Sequence, residues 1–378
     1  MRICLVYDCL FPHTVGGAER WYRTLAEGLA AAGHDVTYVT MRQWDDEGAS
    51  APDGVNVVAV APMMELYSRG RRRIVPPLLF GAGVLTHLAR YGKGYDVVHT
   101  ASFPYFSLLA AAAMRPIRRY RLVVDWFEVW THEYWRSYIG RAGVMGWAVQ
   151  RLCIRVRQRA FCTSQLYASR LREEGFTGEV EILRPYTGPL ELGEPATVTE
   201  PLVVYAGRHI PEKRVPALLP AIREARERAP ELHSLILGDG PERERVLELI
   251  QELALEDVVE APGFVSAERV QHALCHAVCL VLPSAREGYG LVVVEAAAYG
   301  TPSVVVAGSD NAAVELIDEG VNGFVAPSAS PRDLADAILR AHTAGPELRD
   351  STRNWFIRNA RELSLDSALE RVTAAYQS

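Results

Sequence analysis

Arg2-Ile-Cys-Leu-Val-Tyr-Asp8 is a short apolar run ending in an acid, and Phe11-Pro-His-Thr-Val-Gly16-Gly17 follows it. Ala18, Trp21, Tyr22, Leu25 and Leu29 then recur at helical spacing as far as Gly33, which suits a helix C-terminus. Asp35-Val-Thr-Tyr-Val-Thr40 reads as the next strand. Strand, glycine turn, helix, strand is the signature of a parallel α/β sheet.

The pattern extends outward from there. Asp96-Val-Val-His-Thr100 and Arg121-Leu-Val-Val-Asp125 read as strands, with a helix over 105–114 between them. An aromatic-rich loop is expected over 126–138, a helix over 148–159 and strands over 160–164 and 179–184. Residues 185–201, rich in Pro and Gly, read as a linker. A second series follows, with strands over 202–206, 234–237, 258–260, 279–282 and 303–306. Helices are expected over 215–229, 242–253, 290–299 and 334–342, with two more to the end. Ligands of such sheets bind beyond the C-terminal ends of the strands, so two tandem halves imply a shared cleft. The domains are expected at 1–186 and 187–356, with a helical segment at 357–378. A chain of 378 residues exceeds one ordinary core and fits two.

Composition excludes several classes. Apolar residues make up 49% and charged residues 23%, the balance of a globular protein. The apolar stretch around 75–89 is interrupted by Pro76, Pro77 and His87, so no membrane span is expected. The first strand is too short for a signal peptide, and six cysteines then fit a reducing cytoplasm. The net charge is −6, yet residues 1–185 carry 23 basic and 17 acidic side chains. Arg69 and Arg71–Arg73 form one basic group, and Arg151, Arg155, Arg157 and Arg159 form another. Solvated faces are the simplest reading; an anionic acceptor or the inner face of a membrane is the functional one. Nucleic acid is not expected, for want of a reading motif. Lys213 is one of two lysines among 40 basic residues, so its compact charge stands out.

Three constellations carry chemistry. Gly207-Arg208-His-Ile-Pro-Glu-Lys213 lies between a strand and a helix, where Arg208 and Lys213 can reach one anion. Surface charge near a helix start is the bland alternative. Pro283-Ser-Ala-Arg-Glu287-Gly288-Tyr289-Gly290-Leu291-Val-Val-Val-Glu295 sets two carboxylates eight positions apart across a glycine turn. Gly288 and Gly290 admit close approach of a ligand to backbone amides, and the helix that follows favours phosphate. Glu295, in an apolar run, suits a ribose diol; a capping Glu and an exposed Glu are the alternative. Gly16-Gly17 offers amides to a phosphate, or is simply a turn. His272, Cys275, His276 and Cys279 have metal-like spacing, but their apolar surroundings point to a buried structural helix.

In combination, Gly16-Gly17-Ala-Glu19, Gly207-Arg208 with Lys213, Gly238-Asp-Gly-Pro241, Pro283-Ser284 with Glu287 and Glu295, and Gly300-Thr-Pro302 resemble glycosyltransferase family 4 along essentially the whole chain. The resemblance implies a GT-B fold, two Rossmann-like α/β domains facing across a deep cleft, with a C-terminal helix returning to the first. It implies retaining, metal-independent transfer of a sugar from a UDP- or GDP-linked donor to a hydroxyl acceptor, without a cofactor. Glu287, Arg208 and Lys213 would be catalytic, the two cations meeting the leaving diphosphate and Glu287 the transferred sugar. Gly16, Gly17, Gly288, Tyr289, Gly290, Leu291 and Glu295 would complete the donor site. His99, Asp125, Trp126, Phe127 and Glu128 would lie on the acceptor or sugar side, in the first half; for His99 a strand-end histidine packed in the cleft wall is the alternative.

One position departs from the family pattern. Phe127 stands where related sequences often carry a histidine against the sugar, which passes that contact to Asp125, Glu128 or His132. Trp126, Phe127, Trp130, Tyr134, Trp135 and Tyr138 are expected to place at least two rings on the acceptor side. The acceptor is expected to be a small molecule or lipid-linked, with peripheral membrane contact through the basic half. The competing readings are a nucleotide-sugar epimerase on the same fold and a non-catalytic nucleotide-sugar binder.

Overall fold

The computed structural model describes residues 1–45, 48–68, 71–184, 186 and 199–377. It divides into two compact units, Met1–Thr187 with Leu365–Ser378, and Gly188–Ser364. Most of the expected linker, 185–201, lies outside the described residues.

The first unit is built on seven parallel strands: β1 (Arg2–Val6), β2 (Asp35–Met41), β3 (Asn56–Ala61), β4 (Val97–Ala101), β5 (Arg121–Trp126), β6 (Arg159–Cys162) and β7 (Val180–Ile182). Their order is β3-β2-β1-β4-β5-β6-β7, with Ile3 opposite both Val36 and Val97. Strands covered on both faces read as unbroken apolar runs, and Ile3–Val6 are accordingly buried. Helix α1 (Gly17–Ala31) brings Trp21, Tyr22, Leu25 and Leu29 into one core with Ile3, Leu5, Val97 and Val123. Helices α2 (Val75–Tyr91), α3 (Phe106–Arg118), α4 (His132–Ile139), α5 (Gly143–Ile154) and α6 (Gln165–Glu173) complete the connections.

Two expectations are corrected here, and one element is added to which the sequence reading assigned no structure. The 126–138 loop contains α4, whose Thr131 cap accepts a hydrogen bond from the Tyr134 amide. The helix expected over 148–159 is α5, five residues earlier, because Arg159 already begins β6. The apolar stretch at 75–89 is a full helix. Pro76 and Pro77 lie in its first turn, where a missing amide proton costs nothing.

The second unit has six parallel strands: β8 (Leu202–Ala206), β9 (His233–Leu237), β10 (Val259–Gly263), β11 (Cys279–Leu282), β12 (Ser303–Val306) and β13 (Gly323–Ala326), ordered β10-β9-β8-β11-β12-β13. Helices α7 (Leu218–Arg226), α8 (Arg243–Glu252), α9 (Ala267–His276) and α10 (Leu291–Ala298) connect them. Helix α11 (Pro331–Leu363) bends at Gly345, which has φ 55° and precedes Pro346.

The boundary expected at 357 falls inside α11, where Phe356 and Leu363 are still buried. The segment that belongs to the first unit is α12 (Leu365–Gln377). Ala368, Val372 and Tyr376 enter the core around α1, and Arg371 Nε donates to Glu181 Oε1 at 2.6 Å. All six cysteines are free thiols, and burial pushes Cys279 up to about 12.

Candidate functional site

In the second unit the expected residues sit beyond the C-terminal ends of β8 and β11. After β8 the chain runs through Gly207 and Arg208 to a single 3-10 turn, Pro211–Lys213. Backbone bonds hold this loop from two sides. The His209 amide donates to Asp239 O at 2.8 Å, and the Ala285 amide donates to Glu212 O at 2.8 Å. Lys213 is thereby set against the loop after β11. Its Nζ lies 2.6 Å from Glu287 Oε1, and Ser284 Oγ donates to the same oxygen at 2.8 Å. Glu287 is buried and Lys213 half-buried. A buried carboxylate needs such compensation, and here it receives an ammonium and a hydroxyl.

Arg208 is exposed, and its carbonyl accepts a 2.9 Å bond from Tyr205 Oη. The Tyr205 phenol is buried and held well above its ordinary pKa, first by burial and then by the Glu287 charge, while Arg208 acts the other way. The charges of Arg208 and Glu287 are thus both felt at one buried hydroxyl. Glu287 belongs to a two-residue strand, Arg286–Glu287, paired with Asp310–Asn311. Arg286 Nη2 meets Asp310 Oδ2 at 3.0 Å, and Asn311 Nδ2 donates to Ser284 O at 3.2 Å. Gly288 and Tyr289 are half-buried and lead to Gly290, the cap of α10. Gly290 has φ 95°, and a Cβ there would lie 2.8 Å from Ala313 Cβ. Leu291 opens α10, and Glu295 lies half-buried one turn further on.

The first unit treats its expected residues differently. Gly16 caps α1 and Gly17 is its first residue, but the Glu19 carboxylate folds back over Gly16, where any Cβ would collide with it. An anionic group of the chain itself thus meets the positive end of α1. His99, Asp125 and Trp126 are buried. His99 Nδ1 is 2.7 Å from Tyr376 Oη, and His99 Nε2 is 3.0 Å from Asp125 Oδ1. Asp125 Oδ2 accepts from Trp21 Nε1 at 3.0 Å, and Trp126 Nε1 donates to Gln158 at 2.9 Å. The expectation that these three face an acceptor is corrected: their polar atoms are engaged inside the unit, where His99 and Asp125 tie α12 and α1 to the sheet. Phe127 is half-buried, edge-on to Tyr22 at 6.4 Å. Glu128 accepts from Trp130 Nε1 at 2.7 Å, and His132 lies 5.0 Å from the Trp147 ring.

Of the aromatic group, Trp126 and Trp135 are core residues. Trp130, Tyr134 and Tyr138 are half-buried and mutually packed, with ring centroids 4.7–5.8 Å apart. Beside them lies a pair that sequence reasoning missed. Asp8, fully buried after β1, is ion-paired with Arg72, whose guanidinium stacks on Phe103 at 4.7 Å. The Arg72 amide also donates to Tyr138 Oη at 3.1 Å. The one local signal was an acid ending an apolar strand; its partner is 64 residues away. Tyr205 and His209 were likewise not singled out. His209 is buried with no hydrogen-bond partner for either ring nitrogen, and burial lowers its pKa.

His272 and His276 do lie on a helix, α9, with rings stacked at 4.2 Å, but His272 is exposed, which corrects the expectation of burial. Among the described residues no group of three His, Cys, Asp or Glu side chains could hold a metal ion. A cavity of about 500 Å³ opens near His233, His272 and Glu260, at the N-terminal ends of β8, β9 and β10. It is at the opposite edge of the sheet from Lys213 and Glu287.

Two family models match, one per half: Glycosyltransferase Family 4 over residues 15–185 and Glycosyl transferases group 1 over residues 193–363. The alpha-D-kanosaminyltransferase of Streptomyces kanamyceticus is 33% identical over 178 residues, a match that spans 47% of this chain and 45% of that protein. The glycogen synthase of Mycobacterium tuberculosis is 26% identical over 370 residues, 89% of this chain and 84% of that one. Among solved structures, sucrose-phosphate synthase from Thermosynechococcus elongatus superposes with a TM-score of 0.83 at 20% identity, covering 100% of this chain and 98% of its own. HepE from Anabaena, solved with UDP and glucose, gives 0.77 at 19% identity and full coverage of both chains. At these identities the structural likeness speaks for the fold.

Proposed function

Because this chain belongs to the glycosyltransferases of group 1 and family 4, with the GT-B fold, we propose that it transfers a sugar from a nucleoside-diphosphate sugar to an acceptor hydroxyl with retention of configuration. The observation that carries this reading is the Lys213–Glu287 contact of 2.6 Å at the strand ends of the second unit, in the same loop pair as Arg208. When the bond from the anomeric carbon to the diphosphate breaks, negative charge builds on the departing oxygen. Fixed cations placed there before the reaction stabilise that charge without reorganisation. Glu287 holds the Lys213 ammonium in position and keeps its second oxygen for sugar hydroxyls. The amides after Gly290 face the phosphates, and Glu295 takes the ribose hydroxyls. Arg208 and Lys213 supply the positive charge, so the reaction proceeds without a divalent metal.

The complex of HepE with UDP and glucose makes UDP-sugars the first donors to try. The test is release of nucleoside diphosphate from a panel of UDP- and GDP-sugars, with and without candidate hydroxyl acceptors, in EDTA. Acceptor-dependent release, with the anomeric configuration preserved in the product, is expected. Interconversion of donors without acceptor identifies an epimerase instead, and tight donor binding with neither reaction identifies a binder. A strict requirement for added divalent metal contradicts the mechanism.

A further inference from the structure

Two buried hydroxyls of the second unit bond directly to the loops that carry Arg208, Lys213 and Glu287. Tyr205, in β8, is fully buried, and its hydroxyl donates past Gly207 to the Arg208 carbonyl at 2.9 Å. A Cβ at position 207 would lie 2.9 Å from that hydroxyl oxygen, so the bare backbone of Gly207 leaves the hydroxyl its path. The same ring meets His209 edge-on at 5.8 Å. Ser284, just beyond β11, is also fully buried. Asn311 Nδ2 donates to its carbonyl at 3.2 Å and to Val306 O at 2.8 Å, and the next amide, Ala285, donates to Glu212 O at 2.8 Å. The Ser284 backbone is thus held from two sides, and its Oγ donates to Glu287 Oε1 at 2.8 Å.

A buried hydroxyl needs a partner wherever it sits. Ser234 is the plain case: it is buried in β9, and its hydroxyl donates to the Val203 carbonyl at 2.9 Å within the sheet. Tyr205 and Ser284 spend theirs on the charged loops instead. Glu287 Oε1 receives both the Lys213 ammonium at 2.6 Å and the Ser284 hydroxyl. An ammonium so close to a carboxylate is drawn to it and away from a second anion. The hydroxyl supplies part of the compensation that the buried carboxylate requires. Lys213 can then turn part of its charge to a diphosphate while Glu287 keeps a donor. With the hydroxyl removed, more of the ammonium's charge stays on Glu287. Tyr205 acts on the other cation. It pins the Arg208 carbonyl, so the exposed guanidinium starts from a fixed backbone. Such fixing matters because prearranged charges cost no reorganisation, and a displacement of about 1 Å can cost about 100-fold in rate.

We propose that Tyr205 and Ser284 are positioning residues of the anion site, Tyr205 acting through Arg208, and Ser284 through Glu287 and Lys213. The proposal rests on the reading of those two cations as partners of a nucleoside diphosphate. The experiment is calorimetric titration of UDP, and of GDP beside it, into the full chain. Tyr205→Phe and Ser284→Ala are measured alone and in double-mutant cycles, the first with Arg208→Ala and the second with Lys213→Ala. Each single variant is expected to weaken nucleotide binding by about fivefold. Tyr205→Phe should add little once Arg208 is truncated, and Ser284→Ala little once Lys213 is. Ser234→Ala loses a hydroxyl of the same kind and should leave the affinity as it was, while urea unfolding reads what each loss costs the fold. Arg208→Ala and Lys213→Ala that leave nucleotide affinity unchanged defeat the reading of the cations, and this proposal with it. If those two weaken binding while Tyr205→Phe and Ser284→Ala do not, or if the losses simply add in the double variants, the positioning proposal alone is overturned.

Discussion

The two units share a topology and use the ends of their strands in opposite ways. In the second unit the charged side chains beyond β8 and β11 meet each other at the loops, Lys213 on Glu287, and Arg208 stays exposed. In the first unit the groups at the ends of β4 and β5 turn inward. His99 and Asp125 bond to Tyr376 and Trp21 and tie α12 and α1 to the sheet, and Trp126 bonds to Gln158. What stays partly exposed there is Arg72, over the fully buried Asp8, with the rings of Phe103, Trp130 and Tyr138. A strand end can therefore serve chemistry or architecture. The side chain's bonding, rather than its place in the topology, tells which.

The sharpest way to break this contrast is at Lys213. Lys213→Ala should lower turnover by about 100-fold or more, the scale of a lost transition-state charge contact. A steady-state assay with saturating donor checks it. Turnover close to wild type means that Lys213 is as structural as His99. The next largest effect is expected at Gly290. Its φ of 95° and the 2.8 Å approach to Ala313 leave no room for a side chain, so Gly290→Ala should cost about 2–3 kcal/mol of stability. Urea unfolding measures it, and an unchanged midpoint means that the turn before α10 is not the rigid support that Glu287 requires.

What could be read from the sequence follows the same division. Strands β8, β11 and β12 fall where their apolar runs predicted, because a buried parallel strand needs nothing but its own run. Lys213 and Glu287 were legible because each sits in a short loop next to such a strand. Helix α2 was not, since prolines normally stop helices and these two occupy the one turn that tolerates them. The roles of His99 and Asp125 were hidden for a different reason. Their partner Tyr376 is 277 residues from His99, and no local pattern announces that α12 will cover them. Arg72 and Asp8 were missed on the same ground.

The inward bonding of the first unit can itself be tested. Tyr376→Phe keeps the ring and leaves His99 Nδ1 without its 2.7 Å partner. A loss of about 1 kcal/mol in stability is expected, with nucleotide affinity unchanged. Isothermal titration with UDP beside urea unfolding separates the two. A weakened affinity at full stability would make the network part of the site and erase the contrast.

The smallest expected effect distinguishes the second unit's own buried histidine. The His209 ring nitrogens have no hydrogen-bond partner, and burial holds the pKa below the ordinary value, with Asp239 opposing this and Arg243 adding to it. The unfolded chain takes up a proton there near pH 6.5, while the folded chain resists until the pH is lower. In that window the unfolded state binds more protons, so acidification should cost stability, and above pH 6.5 the term vanishes. His209→Phe keeps a flat ring beside Tyr205 and removes the titration. The wild type should therefore lose more stability than the variant between neutral and mildly acidic pH, by unfolding measured at each pH. Histidines in the first unit, His87 among them, are also held low by burial, and they contribute equally to both proteins and cancel in the difference. Parallel curves for wild type and variant would mean that the loop carrying Arg208 and Lys213 accepts a charge at its base. That would make it more yielding than its backbone bonds to Asp239 and Ala285 imply.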